Sequence, residues 1–85
     1  MFIPIGTLTW NATYHIWQSA SLSIPSGYEI VGTNVFSTNG NVICGARLVN
    51  GNSVSIQGAS IVNGQITAIT NDSVKYSGCL ILRKK

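Results

Sequence analysis

Few side chains in this sequence can do chemistry. It holds one histidine, His15, two carboxylates, Glu29 and Asp72, two cysteines, Cys44 and Cys79, and two cations away from the C-terminal run, Arg47 and Lys75. General acid–base catalysis needs titratable groups within hydrogen-bond reach of a substrate. Glu29 with Asp72 is the one carboxylate pair that could serve a glycosidase, whose mechanism depends on a separation in space that sequence does not fix. Lone carboxylates at strand edges more commonly keep those edges from aggregating. Cys44 with His15 could imitate a nucleophile and its base. Cys44, however, stands between Ile43 and Gly45 in an alternating segment, and thiols buried in apolar surroundings are inert. A metal would need His15 beside both cysteines, and no CxxC or HxxxH spacing supports one. The residues therefore read as non-enzymatic, with no cofactor and no metal.

Binding is better supplied. The segment from Trp10 to Trp17 (WNATYHIW) gathers both tryptophans, Tyr14 and His15 within eight positions. Saccharide recognition places an aromatic face against the apolar face of a sugar ring, with amides and charged groups bonding the hydroxyls. Trp17 with His15, joined by Glu29, Arg47 or Asp72 from neighbouring strands or protomers, could supply that arrangement. Alternation along a strand puts His15 and Trp17 on one face and Tyr14 and Ile16 on the other. One pair then belongs to the core and the other faces outward or into a subunit contact. Arg47 projects from the face opposite Cys44 and Leu48, either as a solvated charge or as a clamp on a sugar or carboxylate.

Charge narrows the partners further. Charged residues are 8% of the 85, against about a quarter in ordinary domains. Ser, Thr, Asn and Gly together make up 34 positions, so polarity rests on neutral hydroxyls, amides and turn residues. The net charge of +3 is concentrated in Arg83, Lys84 and Lys85. Arg47 and Lys75 do not make the cationic face that phosphate-backbone binding requires, which argues against nucleic acid. No apolar run approaches the ~20 residues of a bilayer span, so no membrane insertion is expected. Residues 2–5 (FIPI) lack the basic and long apolar regions of a secretory signal. Either export is not classical or a signal was removed. Cys44 and Cys79 lie 35 residues apart, a spacing that decides neither for a bridge nor for two buried thiols, though the missing signal favours thiols.

The elements that must position these residues are strands. No ten-residue window carries a helical apolar period free of Gly, Pro or β-branched clusters. Period-two alternation predicts strands over Tyr14–Ile24 and over a last segment from Val74 to Arg83; β-branched and aromatic richness predicts one over Tyr28–Ser37, and a short N-terminal one is expected over Thr7–Trp10. Others are predicted around Val42–Leu48, Val54–Ile56 and the apolar positions flanking Asn63-Gly64. Three Asn-Gly pairs, at 39–40, 50–51 and 63–64, suit hairpin turns and predict a meander. Gly78 is expected to mark a bulge. Seven to eight short strands predict an all-β, antiparallel β-sandwich, small and barrel-like, in one domain over residues 1–85. A chain this short buries a marginal core, which makes oligomerisation an expectation as well.

The stretch Leu22–Tyr28 (LSIPSGY), the Arg47 that follows, and Asn50–Ile56 (NGNSVSI) together resemble the C-terminal head domain of bacteriophage tail-fibre and receptor-binding proteins. There a strand enters a Pro-x-Gly-Tyr turn, and a later hairpin carries an Asn-Gly tip before a Val-x-Ile strand. Val74–Leu82 (VKYSGCLIL) is similar to the family's closing strand, and the likeness runs from Thr7 to Leu82. It implies a homotrimeric sandwich that binds host cell-surface saccharide near protomer boundaries, in a virion assembled in the host cytoplasm. Family heads join the particle through an upstream shaft, which these 85 residues do not contain. The lack of a shaft fits a recombinant head, a separately encoded tip or a small decoration protein of the same fold, and the alternative within the family is a purely structural decoration or head-fibre subunit packed against other virion proteins. A small secreted lectin is the alternative outside it.

Overall fold

Strands form where β-branched and aromatic residues alternate with small polar ones. The computed structural model, which describes residues 1–85, contains eight and no helix. They are β1 (Phe2–Pro4), β2 (Leu8–Asn11), β3 (Ile16–Ser19), β4 (Tyr28–Phe36), β5 (Val42–Val49), β6 (Ser53–Val62), β7 (Gln65–Ala68) and β8 (Ser77–Lys84). All pairings are antiparallel. One sheet has three strands in the order β1-β8-β4. The other runs β2-β3-β6-β5, with β7 also paired to β6. The expected sandwich is present, but neither sheet closes into a barrel: β1 and β4 end one sheet, and β2 and β5 lie at the ends of the other.

The sheets face each other through a small core of Ile5, Trp17, Val54, Ile56, Leu80 and Leu82. Val54 and Ile56 are successive inward positions of β6, and Leu80 and Leu82 of β8, as a period of two requires. β4 keeps its inward face only by changing parity. Tyr28 and Ile30 pack on the core from even positions and Val35 from an odd one. Between them the register with β8 slips, Ile30 opposing Leu82 and Gly32 opposing Ile81, so Val31 is the extra residue of a bulge. The bulge is thus in β4 rather than at Gly78. Gly78 has a different role: a Cβ there would run into the Asn34 carbonyl and Val35, so its lack of a side chain lets β4 approach β8.

Several expected boundaries move for local reasons. The strand predicted over Tyr14–Ile24 survives only as β3. Asn11 Oδ1 accepts hydrogen bonds from the Thr13 and Tyr14 amides at 2.9 and 3.0 Å, folding residues 12–15 into the β2–β3 turn, and His15 completes it at φ 56°. At the other end the Ser19 hydroxyl accepts from the Val54 amide at 2.9 Å and donates to the Ala20 carbonyl at 2.7 Å, tying the end of β3 to the start of β6. The pair Asn39-Gly40 does not close a hairpin, since β4 and β5 belong to different sheets. Asn63 and Gly64 do form a two-residue turn with positive φ at both positions. At the β5–β6 turn the positive angles fall on Gly51 and Asn52, one residue later than the Asn-Gly pair. β1 was not anticipated at all.

Gly58 on β6 lies under the ring of Tyr76, the residue just before β8. A Cβ on this residue would overlap the Tyr76 hydroxyl, which is buried without a hydrogen-bond partner. Replacing Gly58 by Ala is expected to cost about 2–3 kcal/mol through overpacking. Tyr76→Phe in the same chain, by removing the overlapping oxygen, should recover part of that loss. A urea-denaturation double-mutant cycle measures the coupling, and additive losses would contradict the contact.

Candidate functional site

The five residues singled out by chemistry do not converge. Trp17 is in the chain's own core, 8% exposed, so its ring face is not offered to a ligand. Its neighbours are Trp10, with ring centroids 5.4 Å apart, and the Lys75 ammonium, 4.5 Å from its ring. His15 stacks on Trp10 at 6.2 Å in the β2–β3 turn. Glu29 lies on the three-stranded sheet and accepts a 2.7 Å ion pair from Arg83, the residue directly opposite on β8. Asp72 is exposed in the β7–β8 connection, where its backbone carbonyl accepts from Lys75 at 3.0 Å. Arg47 alone lines a sizeable concavity.

That concavity follows from the ladder around β6. β5 covers one edge of β6 from Ser53 to Ser60, so β3 and β7 share the other, β3 at Ser55–Ile56 and β7 from Ala59 to Val62. Where the two strands diverge, the outer face opens into a groove of about 670 Å³. Its floor is made of small residues, Gly45, Ser55, Ala59 and Ala68, and its walls of Ile16, Ile43, Ile66 and Arg47. Gly45 creates depth: a Cβ there would meet nothing within 4 Å. The Ser55 hydroxyl lies buried at this floor with no hydrogen-bond partner, an uncommon and costly state for a polar group.

Register sets the polar groups around it. Arg47 is directly opposite Ser55, and Gly45 directly opposite Gln57. On the far side of β6, Ser55 faces Gln18, which faces Thr9 on β2. Asn11 donates to Gln18 Oε1 at 3.3 Å. The outer face therefore divides into an aliphatic half around Ile43 and Ile66 and an amide–hydroxyl strip running across β6, β3 and β2. Arg47 stands where they meet, exposed and without an ion pair. Sequence reading found Arg47 but missed Ser55, Gln57, Gly45 and Gln18. The signal was present in the odd positions of β6, Ser53, Ser55 and Gln57, which alternation places on the same face as Arg47.

The thiols are free and face different ways. Cys44 packs against the core, donating to the Val35 carbonyl at 3.6 Å. Cys79, next to the inward Leu80, points to the outer face of its own sheet, so the two do not pair. Burial pushes the Cys44 thiol above its ordinary 9.0. Burial likewise raises the Tyr76 phenol above its ordinary 10.0, and the nearby Cys44 charge raises it further. Both groups hold their protons more tightly when folded, so their stabilising contribution is complete below the unfolded values and is lost as pH climbs through the folded ones. The thermal midpoint should begin to fall as pH passes 9.0. Cys44→Ala should remove the earlier part of the decline and Tyr76→Phe the later part. An unchanged decline in both variants would contradict the assignment.

Comparison with known proteins adds no relative: no protein-family model, no curated protein and no solved structure matches this chain.

Proposed function

We propose that this chain is a non-enzymatic attachment protein: the receptor-binding tip of a bacteriophage, homotrimeric, holding a host cell-surface saccharide in the outer-face groove of the five-stranded sheet. The observation that carries this reading is the groove itself, with an unpartnered hydroxyl at its floor and neutral amides beside it. Saccharide sites pair apolar surface for the C–H faces of a sugar with a few placed donors and acceptors for its hydroxyls. The resemblance of residues 7–82 to phage head domains supports the same reading. So does the dispersal of the titratable groups, with Glu29 engaged by Arg83 and Asp72 on a separate loop.

Assembly is supported by surface left uncovered. The chain exposes 5465 Å², where a monomer of 9.0 kDa typically exposes about 4,850 Å². Its radius of gyration is 13.7 Å, against about 12 Å for a compact domain of this length. Phe2, Val31 and Phe36 are each about half exposed or more, and Phe2 is directly opposite Ile81 on the three-stranded sheet. An apolar sheet face of this kind suits burial against another chain. The same face favours a second reading, in which the protein is a decoration or head-fibre subunit packed against other virion proteins and takes no ligand.

Light scattering at micromolar concentration should give about 27 kDa, three chains of 9.0 kDa; a monomer that persists as concentration rises would contradict the trimer. Labelled protein should adsorb to susceptible bacterial cells and be displaced by saccharide released from their surface. Adsorption that no saccharide displaces would leave the structural subunit as the better reading.

A further inference from the structure

We infer that the groove selects an anionic saccharide, one whose carboxylate or phosphate is taken by Arg47 while an uncharged C–H face lies on the aliphatic wall. The inference rests on the saccharide-holding reading above and narrows its ligand class. The chain has only two carboxylates: Glu29 is committed to Arg83 on the other sheet, and Asp72 lies in the β7–β8 connection. Neither lines the groove. Arg47 is thus the only charge of the groove, and nothing in the fold neutralises it. A guanidinium presents a planar fork of donors that carboxylate and phosphate match in two parallel hydrogen bonds.

What surrounds Arg47 fixes the rest of the ligand. Ser55, directly across from it, has a buried hydroxyl with no partner, and Gln57, opposite Gly45, is the next residue along β6 on the same face. A purely aliphatic acid would leave both without use, whereas a sugar ring brings hydroxyls within the same span as its acidic group. Ile16, two residues before the Gln18 that pairs with Ser55, and Ile43, four positions before Arg47 on β5, line the same groove and give the wall on which the C–H face can rest. The missing side chain at Gly45 lets the ring approach the sheet.

The test is calorimetric titration of the full chain with three probes: digalacturonate, its neutral counterpart digalactose, and galactose 1-phosphate. At low salt the two anionic probes should bind at least ten-fold tighter than the neutral one. That advantage should shrink as ionic strength rises, because the guanidinium is partly exposed to screening. Arg47→Gln should bring the anionic probes down to the neutral level with an unchanged melting temperature. Gly45→Val fills the groove floor at a position where an added Cβ meets nothing within 4 Å and where a strand accepts a β-branched residue. It should abolish binding of the anionic probes while the protein still melts as the parent does. Equal affinity for all three probes, or an anion preference that survives Arg47→Gln or Gly45→Val, overturns the inference. If digalactose matches the anionic probes and also displaces the protein from cells, anion selection falls while the attachment reading stands. If no probe binds and no surface saccharide displaces the protein, both fall together.

Discussion

The two sheets are held together by one small core whose most buried members include Val54 and Ile56 of β6 and Leu80 and Leu82 of β8, joined by Ile5 and Trp17. The four on β6 and β8 are nearly or fully buried, and each of these strands is the middle member of its sheet, with partners on both edges. The remaining elements are arranged so that this core is not disturbed. The Val31 bulge returns β4 to the correct face of β8, Gly78 lets it approach, and Ser19 ends β3 where β6 must begin. Truncating Ile56, Leu80 or Leu82 to Ala would remove about 2–5 kcal/mol, a large share of what a domain of this size can hold.

So small an interior has a consequence on the outside. With two thin layers and 85 residues, apolar side chains are left on both outer faces, Phe2 and Val31 on one, Ile43 and Ile66 on the other. The two faces differ in what accompanies them. The three-stranded sheet offers a largely apolar surface with its one charge pair, Glu29 and Arg83, at one end of the β4–β8 ladder. The five-stranded sheet offers a groove, an unpaired guanidinium and a strip of amides. The first face is a surface for packing, and the second combines an apolar groove with polar groups, the contrast on which the proposed attachment function rests.

Much of the architecture was legible because alternation is a local signal. The inward faces of β5 and β8 could be read directly from Cys44 and Ala46, and from Leu80 and Leu82. What failed depended on geometry between distant residues. Asn39-Gly40 has the composition of a hairpin turn, yet its flanking strands part company into different sheets. Tyr14 and Ile24 fit one alternating pattern, but the Asn11 side chain holds the Thr13 and Tyr14 amides in a turn. The site was harder still. Trp17 had the chemistry of a sugar platform, and which of two alternating faces points inward is decided only when the second sheet arrives. Ser55 and Gly45 are unremarkable letters whose importance comes from being across a ladder from Gln18, Arg47 and Gln57.

If the proposed function holds, a ligand meets the outer face of the five-stranded sheet and not the aromatic β2–β3 turn. Hydroxyl-radical footprinting of the protein with and without host-envelope saccharide tests it residue by residue. Protection centred on Ile43, Arg47 and Ile66, with Tyr14 and His15 unchanged, is the expected result. Protection at Tyr14 and His15 with the groove still fully labelled would contradict the account.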